Sequence, residues 1–371
     1  MKTLGILKEP NQEKRVCLLP SEVKRLTNEL EVEVKFESGL GEKIGISDEA
    51  YVEAGAISDD QTEILLSSDI ICTIHHNYHG QKIKEGLCFV GIFNLLYYPN
   101  RLEKYTQNKA DIFSLDLLPR STTAQSMDVL SSMGSLSGYK AVIKAAELFG
   151  GSMPMFTTAA GTLRPAKVLV IGAGVAGLQA IATAKRLGAV VEAFDVRSSA
   201  GEDIRSLGAK FIEVPGYKES ENAGGYAVVQ SPEYLKKQKE LINHHISLAS
   251  IVIGTANIPG KKAPLLIEKS AVDNMKSGSV IIDLAAEQGG NCELTVNGEL
   301  IDYNGIKIYG NSHLSRELPE SASQLLSNNY FSFLSHLLKN DLENSPLLKG
   351  CKVLEKGNIV HPSFESKLET T

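Results

Sequence analysis

This 371-residue sequence is short of several things, and each shortage narrows its class. It has no C-x-x-C pair: Cys17, Cys72, Cys88, Cys292 and Cys351 lie scattered along the chain, as reduced thiols do in a cytosolic protein, and read as small buried apolar residues. It has no Lys/Arg-rich block and no interleaving of basic with aromatic residues, and its net charge is -6. That balance argues against a nucleic-acid surface. Long apolar runs are missing too. The stretch 87–98 is too short to cross a bilayer and 168–184 is broken by glycines, so the chain is expected not to be transmembrane. The opening residues Met1 to Ile6 are strand-like and lack the apolar region and cleavage site of a signal peptide. No internal repeat, low-complexity tract or heptad series is present.

What remains, 43% hydrophobic and 22% charged residues, is the composition of an ordinary globular protein of about two domains. Strand-like runs at 4–8, 32–37, 70–74, 87–94 and 111–114 alternate with helical patterns at 20–30 and 48–54, which is α/β patterning. A helical run from about Ser126 to Phe149 closes at Gly150-Gly151 and leads into further strands at 167–171, 211–214, 251–255, 280–283 and 307–309. A last helix opened by Pro319 and Glu320 carries Leu325, Phe331, Phe333, Leu334, Leu337 and Leu338, a set suited to packing back on the first domain. The expected fold is α/β, two Rossmann-like doubly wound domains. Residues 1–130 and 311–371 form the first, with the second, 131–310, inserted between them.

The densest signal is the run Ala166 to Arg197, AKVLVIGAGVAGLQAIATAKRLGAVVEAFDVR. A β-branched strand is followed by Gly172, Gly174 and Gly177 in G-x-G-x-x-G spacing, then an amphipathic helix, then a second strand ending at Asp195. Gly172 permits the tight turn, Gly174 removes the side chain that would hold a pyrophosphate off the backbone, and Gly177 lets helix and strand approach. Phosphates then meet the positive helix N-terminus. Asp195 is placed to accept the two adenosine ribose hydroxyls and to repel a 2′-phosphate, which favours NAD(H) over NADP(H). Arg197, two residues on, keeps 2′-phosphate binding open.

The segment PRSTTAQSMDVLSS, from Pro119 to Ser132, resembles the signature loop of the NAD(H)-binding soluble alpha subunit of proton-translocating NAD(P) transhydrogenase. The glycine fingerprint, Gly224-Gly225-Tyr226-Ala227, Ile258-Pro259-Gly260, and the stretch from Asp283 to Cys292 occur in the same order. The resemblance covers essentially the whole chain, which ends soon after His361-Pro362, like the separate first subunit of some bacteria. It implies that Arg120, Asp128 and Ser131 orient the nicotinamide and that Gln125 reaches the nucleotide of the partner. It further implies that Val175, Ala176 and Gly177 lie on the pyrophosphate, Asp195, Val196 and Arg197 around the adenosine ribose, and Gly225 and Gln238 near the adenosine. Met127 and Asn257 join the nucleotide-contacting set, Asn257 replacing a usual leucine. Tyr226 would ride on a mobile loop, 217–230, that folds over the nucleotide.

The implied cofactors are NAD(H) here and NADP(H) on a partner subunit, with direct hydride transfer between them coupled to proton translocation by a membrane subunit. The implied assembly is a homodimer on the cytoplasmic face of the inner (plasma) membrane. Two alternatives stand beside it: an alanine dehydrogenase-like enzyme, or an NAD(H)-binding regulatory module without chemistry. The first needs a cation for the substrate carboxylate and a general acid-base. Lys8 and Arg15 match cations of that pattern, yet Thr73 stands at its lysine, and Gly91-Ile92-Phe93-Asn94-Leu95 holds no histidine. His75, His76 and His79 read as a polar loop rather than a metal site. Glu287 either touches the nicotinamide pocket or caps a helix.

Overall fold

Residues 1–10, 12–75, 78, 80–214, 231–340 and 342–365 are described by a computed structural model. The chain divides into two units, Met1–Met133 with Leu318–Thr371, and Gly134–Glu317.

The first unit is an eight-stranded sheet. In chain order within the unit, its parallel strands Thr3–Ile6, Glu33–Glu37, Ile57–Asp59, Ile70–Cys72, Cys88–Gly91 and Asp111–Ser114 lie as 3-2-1-4-5-6. Lys352–Glu355 then adds antiparallel to Asp111–Ser114, and Asn358–Ile359 closes that edge. Alternation along the strands divides the core in two. Leu4, Ile6, Ile70 and Cys72 face a cluster with Val23 and Leu26 of the helix Pro20–Leu30. Ile71 and Phe89 face the other side, against Ile64 and Leu65 of the helix Gln61–Ser67.

The helix Pro319–Lys339 returns to this unit and buries Leu326, Tyr330, Phe331, Phe333 and Leu334 in the first cluster. Leu326 takes the core position expected of Leu325, which is half-buried. Each such side chain contributes about 1.5–3 kcal/mol by leaving water. Polar ties fix the approach: Ser323 and Ser327 accept the backbone N–H groups of Val16 and Leu19 at 3.0 and 2.8 Å, and Ser327 donates to Glu22 at 2.7 Å.

The second unit holds a seven-stranded sheet. Lys167–Ile171, Val190–Phe194 and Lys210–Phe211 run outward on one side, and Ile251–Gly254, Val280–Asp283 and Ile306–Gly310 on the other, all parallel. Strand order reverses its direction of growth between Lys167–Ile171 and Ile251–Gly254, the topological switch point where doubly wound sheets take their ligands. Ile251–Gly254 and Val280–Asp283 are buried along their whole length, as central parallel strands are. Val168 and Val170 pack with Ala180, Ile181 and Ala184 of the helix Val175–Arg186. Leu169 and Ile171 pack on the opposite face with Tyr234, Ile242 and Ile246 of the helix Pro232–Leu248.

Some elements depart from the sequence reading. The strand expected at 211–214 is only Lys210–Phe211, and Leu300–Tyr303 adds an antiparallel edge. The stretch after Gly150-Gly151 forms a hairpin, Phe156–Thr158 paired with Gly161–Leu163, whose residues are all exposed. The helix expected from Ser126 begins at Val129, preceded by a 3-10 turn at Gln125–Met127. The cysteines are all free, four of them buried and Cys88 half-buried. Among the described residues no helix is long and apolar enough to cross a membrane.

Candidate functional site

In the second unit the three fingerprint glycines stand where their chemistry requires. Gly172 has φ +100°, and a Cβ there would lie 2.7 Å from Thr255 Oγ1 and 2.9 Å from the Ala256 backbone nitrogen. A Cβ at Gly177 would collide with the Gly172 carbonyl, so only glycine lets this helix sit against the turn. At Gly174, by contrast, a Cβ would stand in open space. Gly174 caps the helix Val175–Arg186 from an extended conformation, leaving the N–H groups of Val175, Ala176 and Gly177 in its first turn, where no intrahelical acceptor exists. That is an anion seat at the switch point of the sheet. Thr255 braces it by donating to the Gly172 carbonyl at 2.8 Å. From the helix Val129–Leu148, Gly138 approaches so near the Ala176 carbonyl that no Cβ would fit between them.

Asp195 comes directly after the strand Val190–Phe194, where the ribose carboxylate was expected, but it is already engaged. Its Oδ2 accepts the Ala173 N–H at 2.7 Å and Arg197 Nη2 at 3.2 Å, while Oδ1 accepts the Arg197 N–H at 2.8 Å and Nε at 2.9 Å. A carboxylate offers about four lone-pair positions, and all four have donors. The Asp195 side chain is 7% exposed and that of Arg197 36%. Hydrogen bonding to Asp195 raises the Arg197 pKa further. Val196 is half-buried, Gln238 lies on the buried face of the helix Pro232–Leu248, and Asn257 is exposed after the strand Ile251–Gly254. Gly225, Tyr226 and the rest of the expected loop lie outside the described residues.

Two side chains that order this site were not singled out from the sequence. Asp283 is fully buried and accepts from the N–H groups of Ala285, Asn291 and Cys292 and from the Thr295 hydroxyl, at 2.7–3.0 Å. Asn291, also fully buried, receives the Ala256 N–H and donates to the Ala256 and Pro264 carbonyls, joining two loops at the strand ends. The signal was an acid closing an apolar strand ahead of a Gly-Gly turn. Glu287 sits half-buried in a 3-10 turn, 3.0 Å from His313.

In the first unit the segment Pro119 to Ser131 is an exposed loop on a fixed base. Ala124 and Met127 are buried in the core, Asn329 Nδ2 donates to the Ser126 carbonyl at 2.8 Å, and Gly350 has no room for a Cβ against Pro119. Arg120 and Gln125 are exposed above these anchors, and Met127 points into the core. Asp128 accepts the Ser131 N–H at 2.9 Å and its hydroxyl at 2.6 Å, which caps the helix Val129–Leu148.

The strand ends of the first unit hold a buried polar cluster. Arg15 donates to both carboxylate oxygens of Glu13, at 2.8 and 2.6 Å, and His75 Nε2 lies 2.7 Å from Glu13 Oε2. Glu9 accepts the N–H groups of Ile74 and His75, and the Thr73 hydroxyl lies 3.0 Å away. Burial pushes Glu9 up to about 7. Burial works the same way on Glu13, but hydrogen bonds from Arg15 and His75 and the Arg15 charge outweigh it and hold that carboxyl well below its usual range. Arg15 is 5% exposed and Glu13 4%, so the cation expected to face a substrate is paired inside the protein. Asn94 occupies the left-handed region, φ +53°. Among the described residues no three His, Cys, Asp or Glu side chains group as metal ligands; His76 and His79 lie outside them.

Comparison with known proteins agrees over the full length. The family described as alanine dehydrogenase/PNT, N-terminal domain, matches residues 5–137, and alanine dehydrogenase/PNT, C-terminal domain, matches 141–362. The chain is similar to the first of the two chains that make up the NAD(P) transhydrogenase alpha subunit of Rhodospirillum rubrum, 42% identical over 373 residues, covering 95% of this chain and 96% of that one. The solved transhydrogenase of Sinorhizobium meliloti superposes with a TM-score of 0.85 at 37% identity, covering 98% of this chain and all of that one. An L-alanine dehydrogenase structure shares the fold at TM-score 0.81 and 23% identity, covering 99% of each chain.

Proposed function

The chain belongs to the alanine dehydrogenase/PNT family, and from that premise we propose that it is the NAD(H)-binding alpha-type subunit of an NAD(P) transhydrogenase, an oxidoreductase. NAD(H) sits on the glycine turn of the second unit, and hydride passes directly to or from NADP(H) held by a partner subunit. A membrane subunit couples that exchange to proton translocation. The residues present fit a dinucleotide: the open Cβ position at Gly174 and the first-turn N–H groups of Val175, Ala176 and Gly177 form a backbone cradle for a pyrophosphate.

The observation that carries the reading is the loop from Pro119 to Ser131, where an exposed guanidinium and an exposed amide stand on a base pinned by Ala124, Met127 and Asn329. The nicotinamide supplies the hydride. Transfer between two nicotinamides moves no proton at the reacting carbons, so the protein's task is alignment, with the rings about 3–3.5 Å apart. Arg120, Asp128 and Ser131 orient the ring held here, and Gln125 meets the partner's nucleotide. The internal pairing of Arg15 with Glu13 fits this task better than that of an amino-acid dehydrogenase, which needs a cation facing its substrate.

The assembly proposed is a homodimer, held at the cytoplasmic face of the inner membrane by its partners. The hairpin Phe156–Thr158 with Gly161–Leu163 supports a second copy: two strands alone are marginal in water, and Met155, Phe156 and Leu163 are exposed on or beside it. The test is to mix the chain with an NADP(H)-binding transhydrogenase subunit and follow hydride exchange, which is expected at a rate proportional to the complex formed. NADH oxidation dependent on pyruvate and ammonia, by the chain alone, would establish the dehydrogenase instead. NADH binding with no turnover would establish a sensor.

A further inference from the structure

We infer that Arg197 determines whether the adenosine ribose seat tolerates a 2′-phosphate, an inference that rests on the dinucleotide reading above. A carboxylate at the end of the second strand discriminates against NADP(H) only while it is negative and has lone pairs for the ribose hydroxyls. Here neither condition holds. Arg197 Nε and Nη2 lie 2.9 and 3.2 Å from the two Asp195 oxygens, and the N–H groups of Ala173 and Arg197 take the remaining positions. The seat as built is close to neutral, and its outer face is a guanidinium a third exposed over a carboxylate nearly sealed from water.

Two consequences of opposite sign result. Ribose hydroxyls are donors, so NADH gains Asp195 only when the guanidinium withdraws from it. A 2′-phosphate is an acceptor, and Arg197 meets it with a planar fork suited to paired oxygens. Arg197 therefore competes with one nucleotide and binds the other. Its backbone N–H stays on Asp195 in either case, so the turn itself does not depend on the guanidinium.

The experiment is equilibrium binding of NADH and NADPH to the full chain and to Arg197→Gln, Arg197→Lys and Asp195→Asn. Arg197→Gln is expected to weaken NADPH roughly tenfold or more, the usual loss of a charge-assisted contact, while NADH binds as well or more tightly. Arg197→Lys should keep most of the NADPH affinity, and Asp195→Asn, which releases the guanidinium, should tighten NADPH. Raising KCl should weaken NADPH more steeply than NADH on the unmutated chain, a readout that needs no variant. Parallel weakening of both nucleotides in Arg197→Gln, or equal salt slopes, would overturn the inference and leave Arg197 a structural clamp. If the unmutated chain binds neither nucleotide, the dinucleotide reading itself fails.

Discussion

The two units are built on the same strand order around the first strand, yet their switch points are opposites. In the second, the strand Lys167–Ile171 runs straight into glycine, and the strand ends expose backbone N–H groups. In the first, the chain beyond the strand Thr3–Ile6 carries Glu9, Glu13 and Arg15, closed over with Thr73, His75 and the Tyr330 hydroxyl, which donates to the Thr73 carbonyl at 2.6 Å. Topology supplies a crevice in both cases. The residues after the first strand decide whether it receives a ligand or is filled by the chain's own charges.

Breaking the filled switch point should have the largest effect. Glu13→Ala leaves Arg15 buried without its bidentate partner, and breaking such a pair costs about 3–5 kcal/mol; denaturant unfolding should show that loss. NADH affinity should stay within about twofold under folding conditions, because the glycine seat is built by other residues. A similar loss with abolished NADH binding would mean the two switch points act as one site.

Next comes a pH effect confined to the filled crevice. Glu9 is held protonated up to about 7 by burial, against an ordinary 4.5. Because the folded state binds that proton more tightly, its stabilisation is fully present below pH 4.5 and is lost as pH rises to 7, about 3 kcal/mol in all. Glu9→Gln should flatten the decline between about pH 5 and 7, a window above the one in which Glu13 titrates. An unchanged slope would remove Glu9 as its cause.

At the open switch point, Gly177→Ala must push the helix Val175–Arg186 off the Gly172 carbonyl. NADH binding should weaken about a hundredfold, near 2.7 kcal/mol, measured by nucleotide fluorescence. Gln125→Ala should act later and less. Hydride transfer to partner-bound nucleotide is expected to fall roughly tenfold with NADH affinity almost unchanged, the pattern of a contact made only at transfer. Equal losses in both would place Gln125 in ground-state binding.

Much of this arrangement is written locally in the chain. The glycine triplet, the strands Lys167–Ile171 and Val280–Asp283 and the helix Pro20–Leu30 can be read from periodicity and punctuation, because each rests on neighbours within a few residues. What escaped is long-range or marginal. The Glu9 and Glu13 cluster joins residues more than sixty positions apart. The edge strands Ile57–Asp59 and Asn358–Ile359 are too short to show a pattern. Nor did the DVR tripeptide reveal that Arg197 would turn back on Asp195, since that depends on the Ala173 N–H arriving from the glycine turn.

The central claim is that this protein aligns one nicotinamide against another and moves no proton to a substrate. It is tested most directly by NADH deuterated at the transferred C4 position, mixed with the chain and an NADP⁺-loaded partner subunit. The label should appear wholly in the NADPH formed, with none exchanged into water. Protium from solvent at that carbon, or label delivered instead to alanine when pyruvate and ammonia are supplied, would contradict it.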